Sequence, residues 1–213
     1  MKKEEKYMKV VNKNNIYLIT VVFVLTLGTI IYLLYGTFYN PMKAQISASR
    51  EYASLQKCVS EAAAVVEVKM EGIDSTIETD NFPQTIHNAT IIKIISGNLP
   101  DNIKILQDGT TAIPVSDEPI FKSGEHYIFT LKKATGNIPY DNVYWITKEF
   151  YVNGDAAVEM IPSADTCVRS GNTEIETLSI DECNSNIKQK VNQVQHEVDI
   201  IKKEDLLQEI EKE

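Results

Sequence analysis

The chain has 213 residues, of which 43% are hydrophobic and 24% are charged, and its formal net charge is −9 at pH 7. A surface of this sign repels phosphate backbones and anionic lipid head groups, so nucleic acid is not an expected partner.

A long apolar stretch over residues 16–39 separates a short N-terminal segment from the rest of the chain. It contains no Asp, Glu, Lys, Arg or His. As a helix rising about 1.5 Å per residue it would be about 36 Å long, enough to cross a hydrocarbon core of about 30 Å. Tyrosine and phenylalanine rings stand near both ends, as membrane interfaces favour. The sequence therefore predicts a transmembrane helix over 16–39, preceded by a cytoplasmic stub over 1–15.

Basic residues flank this stretch unequally. Five lysines precede it, whereas a comparable stretch after it holds only Lys43 and Arg50. Because Lys and Arg are retained on the cytoplasmic side, we expect a single-pass protein of the cell membrane, with its N-terminus in the cytoplasm and its C-terminal domain outside. The alternative is a cleaved signal peptide, for which Ser47, Ala48 and Ser49 offer a weak cleavage site. Its apolar region would normally be about 7–15 residues, and this one is longer.

The residues after the apolar stretch change from helical to strand periodicity. Residues 40–60 form a polar connector that becomes helical, with Tyr52, Leu55 and Val59 at spacings of three and four. Apolar runs that alternate with polar residues or continue unbroken then predict six strands. These runs cover residues 63–70, 84–95, 103–106, 126–132, 143–152 and 156–161. Asn153-Gly154 predicts a hairpin between the last two, because both residue types accept positive φ. The sequence thus predicts a mainly β protein with flanking helices, in which residues 61–178 form a small antiparallel OB-like barrel.

The C-terminal segment has a helical pattern. Ser179 and Glu182 have the spacing of a capping box, and apolar residues then recur at three and four. We therefore predict one long helix over residues 179–213, whose first half packs on the barrel. The second half is charged nearly all round, so it either projects into solvent or meets a partner. Its apolar side chains are Leu206, Leu207 and Ile210.

Two runs within the strand region resemble a known domain. They are ATIIKIISGNLPDNIKILQDG, residues 89–109, and FKSGEHYIFTLKK, residues 121–133. Over roughly residues 60–160 the chain resembles a bacterial extracytoplasmic OB-type barrel, similar to netrin modules and tissue inhibitors of metalloproteinases. Ser96-Gly97 stands where that family often has Lys-Gly. The resemblance implies a fold and carries no catalytic residue. The metal-binding N-terminal cysteine of the inhibitor branch has no counterpart here, so protease inhibition is not implied.

The three cysteines, Cys58, Cys167 and Cys183, are candidates for a disulfide outside the cell. A bridge from Cys58 to Cys167 would tie the start of the folded domain to its end, whereas one from Cys167 to Cys183 would close a short loop. Three buried thiols are the alternative. The chain has no CxxC and no HExxH, so we predict neither a metal site nor a cofactor.

Aromatic residues near the fifth strand form a candidate binding surface: Tyr140, Tyr144, Trp145 and Tyr151. OB-type barrels bind along a strand face or through flanking loops, although core packing explains the same alternation. Since no catalytic constellation is present, we expect a non-enzymatic, membrane-anchored domain that binds an envelope protein or a glycan. One alternative is an extracytoplasmic thiol-dependent or hydrolytic enzyme that pairs Cys58 or Cys167 with His87 or His126. Another is an accessory or immunity subunit that acts through its C-terminal helix.

Overall fold

A computed structural model describes residues 23–26, 29, 54–79, 82–115, 119–136, 138–160, 176–194 and 198–212. The chain divides into two compact units, Met1–Ala44 and Gln45–Glu213. The described residues of the first unit are helical, but most of the predicted span over 16–39 and all of the stub over 1–15 lie outside the described residues. Within the part of the chain that the structure describes, no helix has both the length and the apolar character that a membrane crossing requires.

The second unit is mainly β with short flanking helices, as the sequence predicts. Its elements, in chain order, are α1 (Leu55–Ser60), β1 (Ala64–Thr79), β2 (Phe82–Gly97), β3 (Asn102–Asp108), β4 (His126–Lys133), β5 (Val143–Asn153), β6 (Ala156–Glu159), a 3₁₀ helix (Ile180–Glu182), α2 (Ser185–Val191), β7 (Ile200–Lys202) and α3 (Lys203–Glu211).

The strands form one sheet in the order β3-β2-β1-β4-β5-β6-β7. β3 also pairs with β5, in parallel, through Lys104↔Val143 and Leu106↔Trp145. The other pairings are antiparallel. The pairing therefore runs from β3 through β2, β1, β4 and β5 and returns to β3. Because each of these five strands is hydrogen-bonded to at least two neighbours, the paired stretches have no free edge that could recruit another chain.

The first hairpin is longer than the sequence indicates. The first predicted strand ends at residue 70 and the second begins at residue 84, yet β1 continues to Thr79 and stays paired with β2, with partners such as Thr76↔Thr85. The prediction was wrong because this part has few apolar residues, and the backbone hydrogen bonds of a ladder do not require them. The second hairpin, between β5 and β6, is present where expected. Its paired ends are Asn153↔Ala156, so the loop residues are Gly154, at φ 63°, and Asp155 rather than Asn153-Gly154.

Alternation along the strands sends side chains to two separate cores. Val66 and Phe129 point into one core, which we call the enclosed core and which also receives rings from β5 and Phe121. Val65 and Ile128, one residue earlier on each strand, point to the opposite face of the sheet. There α1 and α3 cover them, and Phe150 joins the same cluster. The two short helices therefore cover a second apolar layer on the outer face of the sheet.

The described residues between 179 and 212 do not form the single helix predicted over residues 179–213. The capping-box residues open only the 3₁₀ helix, where Ser179 N donates to Glu182 Oε2 at 3.0 Å. After α2 the chain extends as β7, which pairs with β6 through Ala157↔Ile201. This pairing satisfies backbone groups of β6 that a continuous helix would leave without strand partners.

The last helix also differs from the prediction. Leu206 and Ile210 of α3 are 0% and 2% exposed and pack in the same cluster as Leu55 and Val59 of α1. They neither project into solvent nor remain available for a partner. The apolar residues that suggested an accessory subunit therefore serve the core of this chain.

Candidate functional site

The four aromatic residues predicted as a binding surface occupy different environments. Tyr144 and Tyr151 are each 6% exposed and belong to the enclosed core. Trp145 is half-buried and packs on a small cluster of Ile86, Leu106 and Val143. Tyr140, in the connection between β4 and β5, is 39% exposed. Of the four rings, Tyr140 is the most exposed, whereas Tyr151, although it packs in the core, also lines a cleft between α2 and the ends of β4 and β5.

Polar residues from three adjacent strands form a hydrogen-bonded network beside the Tyr140 ring. Lys104 Nζ of β3 is 4.4 Å from the ring centroid, a cation–π distance. The same ammonium is 2.7 Å from Asp74 Oδ1 of β1 and donates to Asn88 Oδ1 of β2 at 2.8 Å. Asn88 Nδ2 in turn donates to Asp74 Oδ1 at 3.2 Å. We call Asp74, Asn88, Lys104 and Tyr140 the Tyr140 face.

The charges of the Tyr140 face compensate each other. Hydrogen bonds from Lys104, Tyr140 and Asn88 lower the pKa of Asp74 from 3.8 to about 2, so its carboxylate stays ionised. The network holds the tyrosine ring and its hydroxyl from two directions, by a cation over the ring and an anion at the hydroxyl. The result is a surface aromatic ring with restricted freedom on a locally neutral patch.

A cleft lies between α2 and the ends of β4 and β5. This cleft has a volume of about 350 Å³, and the turn over residues 122–125 completes its wall. We call it the α2 cleft. Hydrogen-bonding side chains dominate its lining: Ser123, His126, Asn153, Asn186, Gln189 and Gln193.

An ion pair at the base of the α2 cleft fixes α2 to the sheet. Lys190 is 3% exposed, and its Nζ lies 3.0 Å from both carboxylate oxygens of Glu125. It also donates to the hydroxyl of Tyr127, which donates to Glu125 Oε2 at 2.7 Å. The ammonium stands 5.1 Å and 4.9 Å from the ring centroids of Tyr127 and Tyr151.

Burial and the ion pair act in opposite directions on the groups at this base. Burial favours the neutral form of Glu125, but the Lys190 charge and several hydrogen bonds outweigh it and lower the pKa of Glu125. Burial, reinforced by the charge of Glu149 and then that of Glu125, raises the pKa of Tyr127 well above its usual value. The base is therefore an ionised carboxylate held by a protonated phenol and an ammonium.

The two described cysteines are thiols in different settings. Cys58 is buried, and its Sγ donates to the carbonyl of Thr147 at 3.6 Å. Cys183 is half-buried and donates to the Ser179 carbonyl at 3.3 Å. Burial raises the pKa of both thiols, which disfavours the nucleophilic thiolate. Cys167 lies outside the described residues.

The two histidines proposed as partners of a thiol also lie in different environments. His87 is buried on β2 and lies 3.0 Å from Gln107 Oε1 through its Nε2. His126 begins β4 and lines the α2 cleft. Among the described residues there is no group of three or more His, Cys, Asp and Glu side chains that could hold a metal ion.

Sequence reasoning missed Lys104, Lys190 and Gln193 as site residues. Lys104 appears in the sequence as the polar position of an alternating strand, and Lys190 as one polar residue in a helical pattern. Neither pattern shows that Lys190 lies beside Glu125, 65 positions away. One signal was available in the sequence. Ile187 and Lys190 are three residues apart, so they lie on the same face of a helix, and that face is the buried one.

No protein-family profile matches this sequence, and no curated protein matches it.

Proposed function

We propose that this protein is a non-enzymatic binding module of the bacterial cell envelope, held at the cell membrane by one N-terminal span and displaying its β domain outside the cell. Its partner, an envelope protein or a glycan, docks on the Tyr140 face. The apolar stretch over residues 16–39 and the excess of lysines before it support the anchor and its orientation.

The strand pairing supports an OB-type barrel for the outer domain. Five strands pair in a circuit, β3-β2-β1-β4-β5 and back to β3, with the last pairing parallel. OB-type barrels use the face of strands 2 and 3 together with the loops after strands 1 and 4. The Tyr140 face combines Asn88 of β2, Lys104 of β3 and a tyrosine from the connection after β4, which is the same combination of elements.

The observation that carries the proposal is the exposed and preorganised ring of Tyr140. Tyrosine supplies a large contact area with few rotatable bonds, and tyrosines are enriched among the residues that dominate binding energies. Because Lys104 and Asp74 already hold the ring, little of its rotamer freedom remains to be lost on binding. The locally compensated charge suits an uncharged surface such as a peptide edge or a sugar ring.

Photo-crosslinking in native membranes tests this proposal. A benzoylphenylalanine is placed at Tyr140 in the full chain, and a matched control places it at Ile180, which is 40% exposed against 39% for Tyr140. We expect a light-dependent adduct from position 140 that is absent from position 180. Protease digestion identifies a protein adduct, and glycosidase digestion identifies a glycan adduct. Equal adducts from both positions, or none from position 140, would refute the Tyr140 face.

The anchor is tested separately on intact cells. An external protease should degrade the domain over residues 61–178 while leaving an N-terminal fragment in the membrane fraction. Recovery of a shortened chain in the medium would show cleavage and overturn the anchored form of the proposal.

A further inference from the structure

The α2 cleft contains hydrogen-bonding groups that the fold leaves unused. Gln193 Oε1 is a buried atom in its wall and has no hydrogen-bond partner. The side chains of His126 and Gln189, which also line the cleft, form no hydrogen bonds with the described part of the chain. Buried acceptors in native proteins are nearly always satisfied, so an orphaned one beside a cavity indicates a donor that arrives from outside.

The opposite charges of Lys190 and Glu125 compensate each other at the base of the cleft, so a ligand does not need to carry a charge. The Lys190 ammonium is engaged by both oxygens of Glu125 and by the Tyr127 hydroxyl. Lys122 is the remaining charged residue of the lining, and it is exposed. A ligand in this cleft therefore gains more from hydrogen bonds than from charge.

The lining also has a definite chemistry. The side chains of Asn153, Asn186, Gln189 and Gln193 are carboxamides, and each such group offers an acceptor oxygen beside two donor hydrogens. Adjacent hydroxyls of a sugar, each both donor and acceptor, complement such groups. The cleft volume of about 350 Å³ lies at the lower end of the range of about 300–1,000 Å³ for small-molecule sites, which suits one ring rather than several.

We propose that the α2 cleft is a second binding site, separate from the Tyr140 face, that takes one uncharged sugar residue. Gln193 Oε1 accepts a hydrogen bond from a sugar hydroxyl, and Gln189 and His126 supply further polar contacts. The Glu125–Lys190 pair is a positioning element: it fixes α2, which carries Gln189 and ends shortly before Gln193, against the sheet. The sugar is either a free monosaccharide or the terminal unit of a glycan, since both present the same hydroxyls. This site does not depend on the proposed function of the Tyr140 face.

The test uses the full chain in a non-denaturing detergent without sugar head groups. Saturation-transfer NMR is recorded with glucose, galactose, mannose and N-acetylglucosamine, each titrated into the millimolar range. We expect saturable transfer for at least one of them. Gln193→Met keeps the side-chain length and removes the acceptor, so it should weaken that sugar about tenfold, the effect of losing one buried hydrogen bond. Gln208→Met, an exposed position on α3, is the matched control and should leave binding unchanged.

Two further comparisons keep the outcome interpretable. Because Gln193 Oε1 has no partner in the fold, Gln193→Met should not lower the thermal midpoint, so weaker binding cannot be attributed to unfolding. Tyr140→Ala should not change sugar binding. A trimer of the preferred sugar that binds through its terminal unit alone indicates a glycan end, whereas binding restricted to the monomer indicates the free sugar. Absence of saturable transfer for all four sugars, or unchanged affinity in Gln193→Met, would overturn the proposal.

Discussion

Acidification should destabilise the β domain through one histidine, His87. Its side chain is 0% exposed, its Nε2 lies 3.0 Å from Gln107 Oε1, and the Phe121 ring centroid is 5.2 Å away. A carboxamide oxygen only accepts, so Nε2 carries the proton and Nδ1 is a buried acceptor without a partner. Protonation of Nδ1 would place a charge in this apolar site. Burial therefore lowers the pKa of His87 from 6.5 to about 4, although the bond to Gln107 partly opposes the shift.

The direction and size of the pH effect follow from this shift. Between pH 6.5 and pH 4 the unfolded chain binds a proton at His87 that the folded chain does not. The free energy of unfolding is therefore unaffected by His87 above pH 6.5 and decreases as the pH falls towards 4. At about 1.4 kcal/mol per pH unit the loss approaches about 3 kcal/mol at pH 4. That is a large fraction of the 5–15 kcal/mol that is roughly typical of domains.

Urea denaturation of the unit over residues 45–213 at several pH values between 7 and 4.5 measures this effect. His87→Gln retains a donor for Gln107 and does not titrate, so its free energy of unfolding should stay nearly constant, whereas the unsubstituted protein loses about 2–3 kcal/mol. His126→Gln, at a half-buried position, is the control and should retain the loss. Because the pKa values of Asp74 and Glu125 are lowered, these two carboxylates change the free energy of unfolding mainly in more acidic solution. A full pH dependence in His87→Gln would refute the argument.

Three further predictions concern the packing of the C-terminal segment and the two candidate sites. Leu206→Ala should destabilise the domain by about 2–5 kcal/mol in urea denaturation, because the side chain is fully buried, and a change below 1 kcal/mol would contradict its place in the core. Lys190→Ala should lower the free energy of unfolding by about 3–5 kcal/mol because it leaves the partly buried Glu125 carboxylate without its ion-pair partner, and adding Glu125→Gln to the same chain should restore part of the loss. If the double variant is no more stable than the single one, the ion pair is not the cause. Lys104→Met should raise the pKa of Asp74 from about 2 towards 3.8 in a carboxyl NMR titration, and an unchanged titration would show that Lys104 is not its main partner.

The sequence alone determined the β character of the domain and the place of most strands. Alternation across Val66, Val68 and Met70 predicts the part of β1 that faces the enclosed core, and those residues are 0% exposed. β4 and β5 begin at His126 and Val143, where the apolar runs begin. These features are readable because a strand with one buried face repeats every two residues, whatever the rest of the chain does.

Only the tertiary structure decided where the polar chemistry lies and how the C-terminal segment folds. Lys190 meets Glu125, and Lys104 meets Asp74 and Tyr140, through the packing of elements distant in the sequence. A periodic pattern identifies a face but not the element that covers it. Spacings of three and four predict a helix over residues 179–213, yet Ile200 and Ile201 form a strand because the backbone of β6 is there to pair with them. Hydrogen bonds to a neighbouring strand outweigh a local preference for helix. The neighbouring strand is distant in the sequence, so the pattern of residues 179–213 does not reveal it.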